Sequence, residues 1–169
     1  GGNVSDYTRY ETAGTPAWAP KATVLNYENL RRLRGFLDAV GWKLIWGLNL
    51  GTGSVENAVA LARAVTEVMG ERLIAFQIGN EPDLFVLAGH RTAPYGYDAW
   101  LAEYRRYKAA IRAALPRARF AGPDISDGGV AWVEAFARDE GGDAALLTAH
   151  HYIAGRDNPG STHALLLKD

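Results

Sequence analysis

Cysteine is absent from this sequence of 169 residues. Its absence excludes disulfides and thiolate metal sites, although it does not distinguish the cytoplasm from an exported location. An excess of charge of one sign is also absent, because 18 Lys and Arg residues balance 19 Asp and Glu residues. We therefore expect no nucleic-acid partner and no membrane partner. Apolar runs are interrupted by Gly, Asn or a charge before they reach the length of a membrane span.

The beginning of the sequence lacks an initiator Met and the basic and apolar segments of a leader, because it opens with Gly1, Gly2 and Asn3. Either a leader was removed or the gene product starts upstream, and we expect an upstream start. The composition itself is ordinary. Hydrophobic residues make up 48% and charged residues 22%, which is sufficient for one folded core.

Short apolar runs alternate with helical patterns along the sequence. The apolar runs predict buried strands at residues 43–50, 73–79, 119–122 and 146–150. Helices are predicted after the capping residues Asn26 and Ser54, over residues 97–115 and 130–138, and after Ser161. Aromatic residues on one face of the third helix are expected to pack against the strands, namely Trp100, Tyr104 and Tyr107. The alternation predicts an α/β fold with parallel strands, and an open doubly wound sheet and an incomplete barrel fit it equally well.

The strongest functional signal is the segment from Gln77 to Asp83, which places Asn80 and Glu81 directly after an apolar strand and before Pro82. Polar residues at the carboxyl end of a barrel strand usually serve the active site. A carboxyl group beside an apolar wall resists ionisation, so Glu81 could hold a proton and deliver it to a glycosidic oxygen. The alternative reading is a plain turn in which Pro82 ends the strand.

Asn80-Glu81-Pro82 after a strand resembles the acid/base motif of the large clan of retaining glycosidases with TIM (β/α)8 barrels, where the motif follows the fourth strand. Within this clan, clan A, the sequence is most similar to glycoside hydrolase family 79, the heparanase and β-glucuronidase family. Further matching stretches resemble the ends of the second, third, fifth and sixth strands, at residues 1–3, 45–49, 121–124 and 150–152. The resemblance implies a single partial (β/α)8-barrel segment over residues 1–169, from strand two to strand six.

The resemblance also implies an activity, the hydrolysis of β-linked glucuronic acid from glycans or glycosides with retained configuration. It implies that Glu81 is the general acid/base and that Asn80 contacts the sugar. Tyr152 is expected beside the nucleophile. Asn3 and Asn49 are expected to line the substrate pocket. The expected partner is therefore a carbohydrate, a uronic-acid glycoside.

Two adjacent histidines, His150 and His151, could be metal ligands. The sequence has no third ligand at suitable spacing, so no metal is expected. His150 points to the same side of an extended segment as Tyr152 and is assigned to substrate binding, whereas His151 is expected in a hydrogen-bonded structural role. Asp124 is open to a substrate-ligand role, and Asp127 is expected in a turn. No cofactor is implied, because two carboxylates supply the chemistry of a retaining glycosidase.

A second carboxylate is required by the retaining mechanism. In the family it is a Glu after the seventh strand, and no Glu follows Glu140 in this sequence. This sequence also offers no counterpart to four further parts of the family's fold: strand one, strand seven, strand eight and a β-sandwich domain. We therefore expect the chain to be a segment of a longer product, inactive when isolated, with the remainder of the barrel as its partner.

The sequence is also compatible with other functions. The scaffold could carry a catalytically silent carbohydrate-binding or interaction domain, or another glycosidase of the same clan acting on xylosides or arabinosides. A weaker reading is a phosphate site at residues 51–54, where two Gly residues precede a helix. Glycan substrates are extracellular, so a secreted or periplasmic location in a bacterium is expected.

Overall fold

The computed structural model describes residues 2–11 and 23–152. Within these residues, strands and helices alternate along the chain. The strands are β1 Thr8–Tyr10, β2 Thr23–Leu25, β3 Leu44–Leu48, β4 Leu73–Ile78, β5 Phe120–Ile125 and β6 Ala144–Ala149. The α-helices are α1 Tyr27–Val40, α2 Val55–Met69, α3 Tyr97–Ala114 and α4 Val130–Glu140. Short 3-10 helices lie at Gly2–Tyr7, Gly70–Arg72 and Pro82–Leu84.

The main sheet has four strands in the order β3-β4-β5-β6, and every neighbouring pair is parallel. Each connection between these neighbours carries one α-helix, so the chain repeats a β-α-β unit without reversing the strand order. A separate two-stranded parallel pair joins β1 to β2. The predicted α/β fold with parallel strands is confirmed.

Neighbouring helices pack against each other in one layer, as α1 contacts α2 and α2 contacts α3. The layer continues to α4, where Trp132 lies 5.6 Å from Trp100 of α3 between ring centroids. The buried Glu140 at the end of α4 also pairs with Arg105 and Lys108 of α3. A doubly wound sheet places helices on both faces, whereas a barrel wall carries them on one. The observed layer therefore favours the barrel.

The predicted helix boundaries follow from local hydrogen bonds. Asn26 accepts from the backbone N–H of Asn29, and the Asn29 side chain accepts in return from the backbone of Asn26. At the other end of α1, Gly41 has φ 71°, a left-handed conformation that suits Gly and stops the helix. Ser54 caps α2 in the same manner as Asn26, by accepting from Asn57. None of the helices in the described ranges is both long and apolar enough to cross a bilayer.

The strand predictions were correct in position and differ in length. The third predicted strand, over residues 119–122, continues as β5 to Ile125, and the fourth begins at Ala144 rather than at residue 146. Strands β1 and β2 were not predicted, because three residues are too few to show a periodic pattern. The helix predicted after Ser161 lies outside the described residues.

Aromatic side chains fill the space between the sheet and the helices. The predicted packing stripe on α3 is confirmed, since Trp100, Tyr104 and Tyr107 are buried. Phe136 of α4 meets Tyr104 edge to face, with 5.3 Å between ring centroids. A Cβ atom on Gly122 of β5 would lie 2.9 Å from the Phe136 ring, so the absence of a side chain at Gly122 allows α4 to approach the sheet.

Phe136 should therefore be a main source of stability. We expect Phe136→Ala to lower the free energy of unfolding by about 3–5 kcal/mol, because the lost ring leaves a cavity between α4 and β5. Denaturant unfolding followed by circular dichroism measures this. Phe36 of α1 is 52% exposed and provides a matched control. Phe36→Ala should change stability by about 0.5 kcal/mol or less, and equal losses for the two variants would contradict this account of the core.

Candidate active site

A cavity of about 290 Å³ opens beside the carboxyl end of β4. Its walls differ in chemistry. The polar wall comes from the N-terminal 3-10 helix and the end of β4 and comprises Asn3, Asp6, Asn80 and Glu81. The apolar wall comes from the segment that follows and comprises Leu84, Phe85, Leu87 and Ala88. Such a combination suits a ligand with both hydroxyl groups and apolar C–H surface.

Asp6 joins three parts of the chain at the base of this cavity. One carboxylate oxygen accepts from the backbone N–H of Leu50 at 3.0 Å and of Gly51 at 2.8 Å. The other accepts from the N–H of Asn80 at 2.9 Å. Burial raises the pKa of Asp6, and these backbone hydrogen bonds oppose the rise without cancelling it. Asp6 carries no local signal in the sequence, because its partners lie more than forty residues away in the chain.

Glu81 occupies the turn between β4 and the 3-10 helix Pro82–Leu84. Its φ of 47° is left-handed, which is uncommon for a residue with a side chain. Its backbone N–H donates to the carbonyl of Asp124 at 2.8 Å and holds the turn against the end of β5. The carboxyl group is 12% exposed, and its Oε1 lies 2.7 Å from Nδ1 of His150.

Asp124 stands on the other side of His150. Its Oδ1 lies 3.3 Å from Nε2 of His150, and its Oδ2 accepts from the side-chain amide of Gln77. Burial raises the pKa of Asp124 to about 6; nearby His150 opposes the rise and the charge of Glu81 adds to it. Burial disfavours the charged form of His150. Its hydrogen bond to Glu81 and the charge of Asp124 outweigh burial, so the pKa of His150 lies above its ordinary value.

The structure brings most of the predicted site residues together. Asn80 donates from Nδ2 to Oδ1 of Asn3 at 2.9 Å, and both line the cavity with Glu81. Asn3 reaches this position from the 3-10 helix Gly2–Tyr7. His150 contacts Glu81 directly from the segment after β6 and is not among the residues that line the cavity.

Asn49 is placed differently from the expectation that it lines the pocket. Its side chain is buried and turned into the protein, where Nδ2 donates to the carbonyl of Thr8 at 2.9 Å and Oδ1 accepts from the N–H of Thr52 at 2.9 Å. The nearby Gly51 N–H, which the phosphate reading would use, already donates to Asp6. Asn49 thus supports the loop after β3 instead of facing the cavity.

Tyr152 is 63% exposed and lies at the rim of the group. Its ring meets His150 edge to face at 6.2 Å between centroids, and its N–H donates to Oδ2 of Asp127 at 2.9 Å. Nδ1 of His151 lies 2.9 Å from Oδ1 of the same carboxylate, as expected for a hydrogen-bonded structural role. The Tyr152 backbone and His151 together lower the pKa of Asp127.

Arg91 was also missed, and it fixes the segment that forms the apolar wall. Its guanidinium donates to the carbonyls of Leu50 at 3.0 Å and Gly51 at 2.9 Å, and it pairs with Glu103 of α3 at 2.9 Å. The preceding His90 packs between Tyr7 and Phe85, 5.1 Å from each ring. His90 lines the cavity, and its position in the loop after the Asn-Glu-Pro motif was a signal that could have placed it there.

Among the residues that the structure describes, none form a group of three or more His, Cys, Asp or Glu side chains suited to a metal ion.

Comparison with known proteins adds two relatives. The chain is 25% identical to a β-glucuronidase from Aspergillus niger over 190 residues, which cover 96% of this chain and 35% of that protein. Its structure resembles that of a 4-O-α-L-rhamnosyl-β-D-glucuronidase from Fusarium oxysporum in complex with Rha-GlcA, with a TM-score of 0.70 at 18% identity. That match covers 92% of this chain and 36% of the other. No family model matches the chain.

The structural likeness confirms the fold as a part of a (β/α)8 barrel. The chain spans about a third of the length of both relatives. At the level of sequence it is similar to a β-glucuronidase, a glycoside hydrolase. The narrower assignment to family 79 remains a prediction.

Removing the Asp6 carboxylate should loosen the ends of β3 and β4. We expect Asp6→Ala to speed hydrogen exchange at the amides of Leu50, Gly51 and Asn80, because these donors lose their acceptor. Exchange measured by NMR tests this residue by residue. The amide of Phe76, which donates to the carbonyl of Arg119, is the internal control. Uniform acceleration including Phe76 would indicate global unfolding instead.

Asp124 should give stability a pH dependence of defined sign. Its pKa is about 6 in the folded protein and has an ordinary value of 3.8. The folded state therefore holds this proton more tightly, and the stabilisation is complete below about pH 4 and lost as the pH rises through about 6. We expect the free energy of unfolding of the wild type to fall across this window relative to that of Asp124→Asn. Urea unfolding at a series of pH values measures the difference, and parallel curves would contradict it.

Proposed function

We propose that this chain forms part of the catalytic barrel of a retaining glycoside hydrolase that removes β-linked glucuronic acid from glycans or glycosides. Glu81 serves as its general acid/base. Asn80 and Asn3 bind sugar hydroxyl groups on the polar wall of the cavity. The proposal extends the observed likeness to β-glucuronidases to the chemistry of particular residues.

One observation carries the proposal. Glu81 is a largely buried carboxyl group that lines a cavity at the carboxyl end of a parallel strand, and its backbone is held in a left-handed conformation. Uncommon backbone conformations of this kind persist where surrounding contacts enforce them, and they cluster at functional sites. The neighbouring imidazole of His150 contacts one carboxyl oxygen, Oε1. The second oxygen, Oε2, is then the one that exchanges a proton with substrate.

The reaction follows from this placement. Protonated Glu81 gives its proton to the glycosidic oxygen as the bond to the anomeric carbon breaks, and a second carboxylate attacks that carbon. Glu81 is then ionised and takes a proton from the water that releases the sugar. The second carboxylate is proposed to follow a seventh strand, outside this sequence, and to lie close to Tyr152.

The sugar preference rests on the curated relative. The side chains that line the cavity within residues 2–11 and 23–152 include no Lys and no Arg. Recognition of the glucuronate carboxylate is therefore proposed to come mainly from the remainder of the barrel. Export from the cell is proposed with it, because glycan substrates of this type are extracellular.

The acid/base role predicts a dependence on the leaving group. In the complete protein, Glu81→Gln should lower kcat/KM for aryl glucuronides with poor leaving groups by about 100-fold or more, because protonation of the departing oxygen is lost. Substrates with good leaving groups should retain much more activity. Initial rates over a series of substituted phenyl glucuronides measure how steeply kcat/KM depends on the leaving group.

Glu71 offers a matched control, since it lies just before β4 whereas Glu81 follows it. Glu71→Gln should leave the whole series unchanged. Equal loss for all leaving groups in Glu81→Gln would argue against an acid role. A complete protein that binds glucuronides without turnover would support a silent binding domain instead.

A further inference from the structure

We infer that Asp124 is a positioning residue for Glu81 and that it acts through His150. The inference rests on the proposed function, because it assigns Glu81 the acid/base role. The imidazole of His150 lies between the two carboxyl groups, with Nδ1 at 2.7 Å from Glu81 and Nε2 at 3.3 Å from Asp124. A carboxylate on the far side of a histidine orients the ring and decides which nitrogen carries a proton.

The position of Asp124 is fixed from several directions. It is 4% exposed, its second carboxyl oxygen accepts from Gln77, and its φ of 59° is left-handed. In the described part of the chain, Glu81 and Asp124 are the residues other than Gly with positive φ. They are joined by the backbone hydrogen bond from Glu81 to Asp124. The two uncommon backbone conformations thus belong to one unit, and its side chains meet at His150.

The charges around His150 define its protonation. Carboxyl groups face it from each neighbouring element: Glu81 after β4, Asp83 in the 3-10 helix, Asp124 in β5 and Asp127 in the following turn. The contact of Nδ1 with Glu81 is a hydrogen bond, and Asp124 acts on the ring through its charge, 3.3 Å from Nε2. An ionised Asp124 therefore favours the doubly protonated ring.

The protonation of His150 decides what Glu81 can do. Imidazolium donates its Nδ1 proton to Oε1 of Glu81, so the proton of Glu81 itself resides on Oε2, toward substrate. If Nδ1 is unprotonated, it accepts the proton of Glu81 and withholds it from the glycosidic oxygen. The charge of Asp124 keeps His150 in the imidazolium form, so the proton of Glu81 stays on Oε2. The cluster exchanges protons only among its own carboxyl groups, imidazole, substrate and water.

The first test observes His150 directly in the complete protein. Ring nitrogen shifts of ¹⁵N-labelled protein, assigned with His150→Gln, report protonation at Nδ1 and Nε2. We expect Asp124→Asn to lower the pKa of His150, and Asn tolerates the left-handed backbone. Asp127→Asn is the matched control, because Asp127 pairs with His151. It should lower the pKa of His150 by less than Asp124→Asn does.

The second test measures the effect on turnover. Asp124→Asn should lower kcat/KM for poor leaving groups by about tenfold or more and move the alkaline limb of the pH profile to lower pH. A structural defect alone would lower the rate at every pH without moving the limb. Asp139→Asn, an Asp on α4 paired with Tyr97 and Arg138, should change neither quantity. In a His150→Gln background, Asp124→Asn should lower kcat/KM little further, because the imidazole through which Asp124 acts is already absent.

The outcomes separate the two claims. Leaving-group dependence in Glu81→Gln, together with unchanged His150 titration and an unchanged alkaline limb in Asp124→Asn, would overturn the inference and leave the proposed function intact. Absence of glucuronidase activity in the complete protein would overturn the proposed function, and the inference as an account of catalysis would fall with it, even where Asp124→Asn alters His150.

Discussion

The carboxylate of Asp6 is the interaction on which the arrangement of the cavity depends. It accepts from backbone amides at the ends of β3 and β4, so one buried side chain holds the N-terminal 3-10 helix against two strands. Amides at strand ends have no partner in the sheet and are costly to bury unpaired. By satisfying them, Asp6 also sets where Asn3 meets Asn80 and hence the polar wall. The polar half of the cavity is therefore assembled around an anion that the protein supplies itself.

The sequence was sufficient to predict the elements with local signals. Asn26, Gly41 and Ser54 carry their capping information within a few residues, and the helices begin and end where these residues indicate. The three-residue strands β1 and β2 had no such signal. Their parallel pairing is a contact between distant segments, which a periodic pattern does not encode.

The same distinction between local signals and long-range contacts applies to the residues of the site. Glu81 and Asn80 were found because they follow a recognisable strand, and their positions at its carboxyl end follow from the fold. Asp6 and Arg91 act on backbone groups of a loop some forty residues away, and nothing in their neighbours predicts that contact. Asn49 shows the converse. It follows a strand like Asn80, yet its amide is used inside the loop, because a side chain at a strand end can support the backbone as readily as it can face a ligand.

The contacts of Arg91 have a consequence for ligand binding. Its guanidinium ties the segment after Glu81 to carbonyls beyond β3 and to Glu103 of α3, and it also stacks over the Phe85 ring at 5.5 Å. A wall secured at both its backbone and its aromatic surface loses little conformational entropy when a ligand arrives. The apolar side of the cavity is thus preorganised. Affinity there depends on how well the shape of a ligand fits, with little cost for ordering the loop.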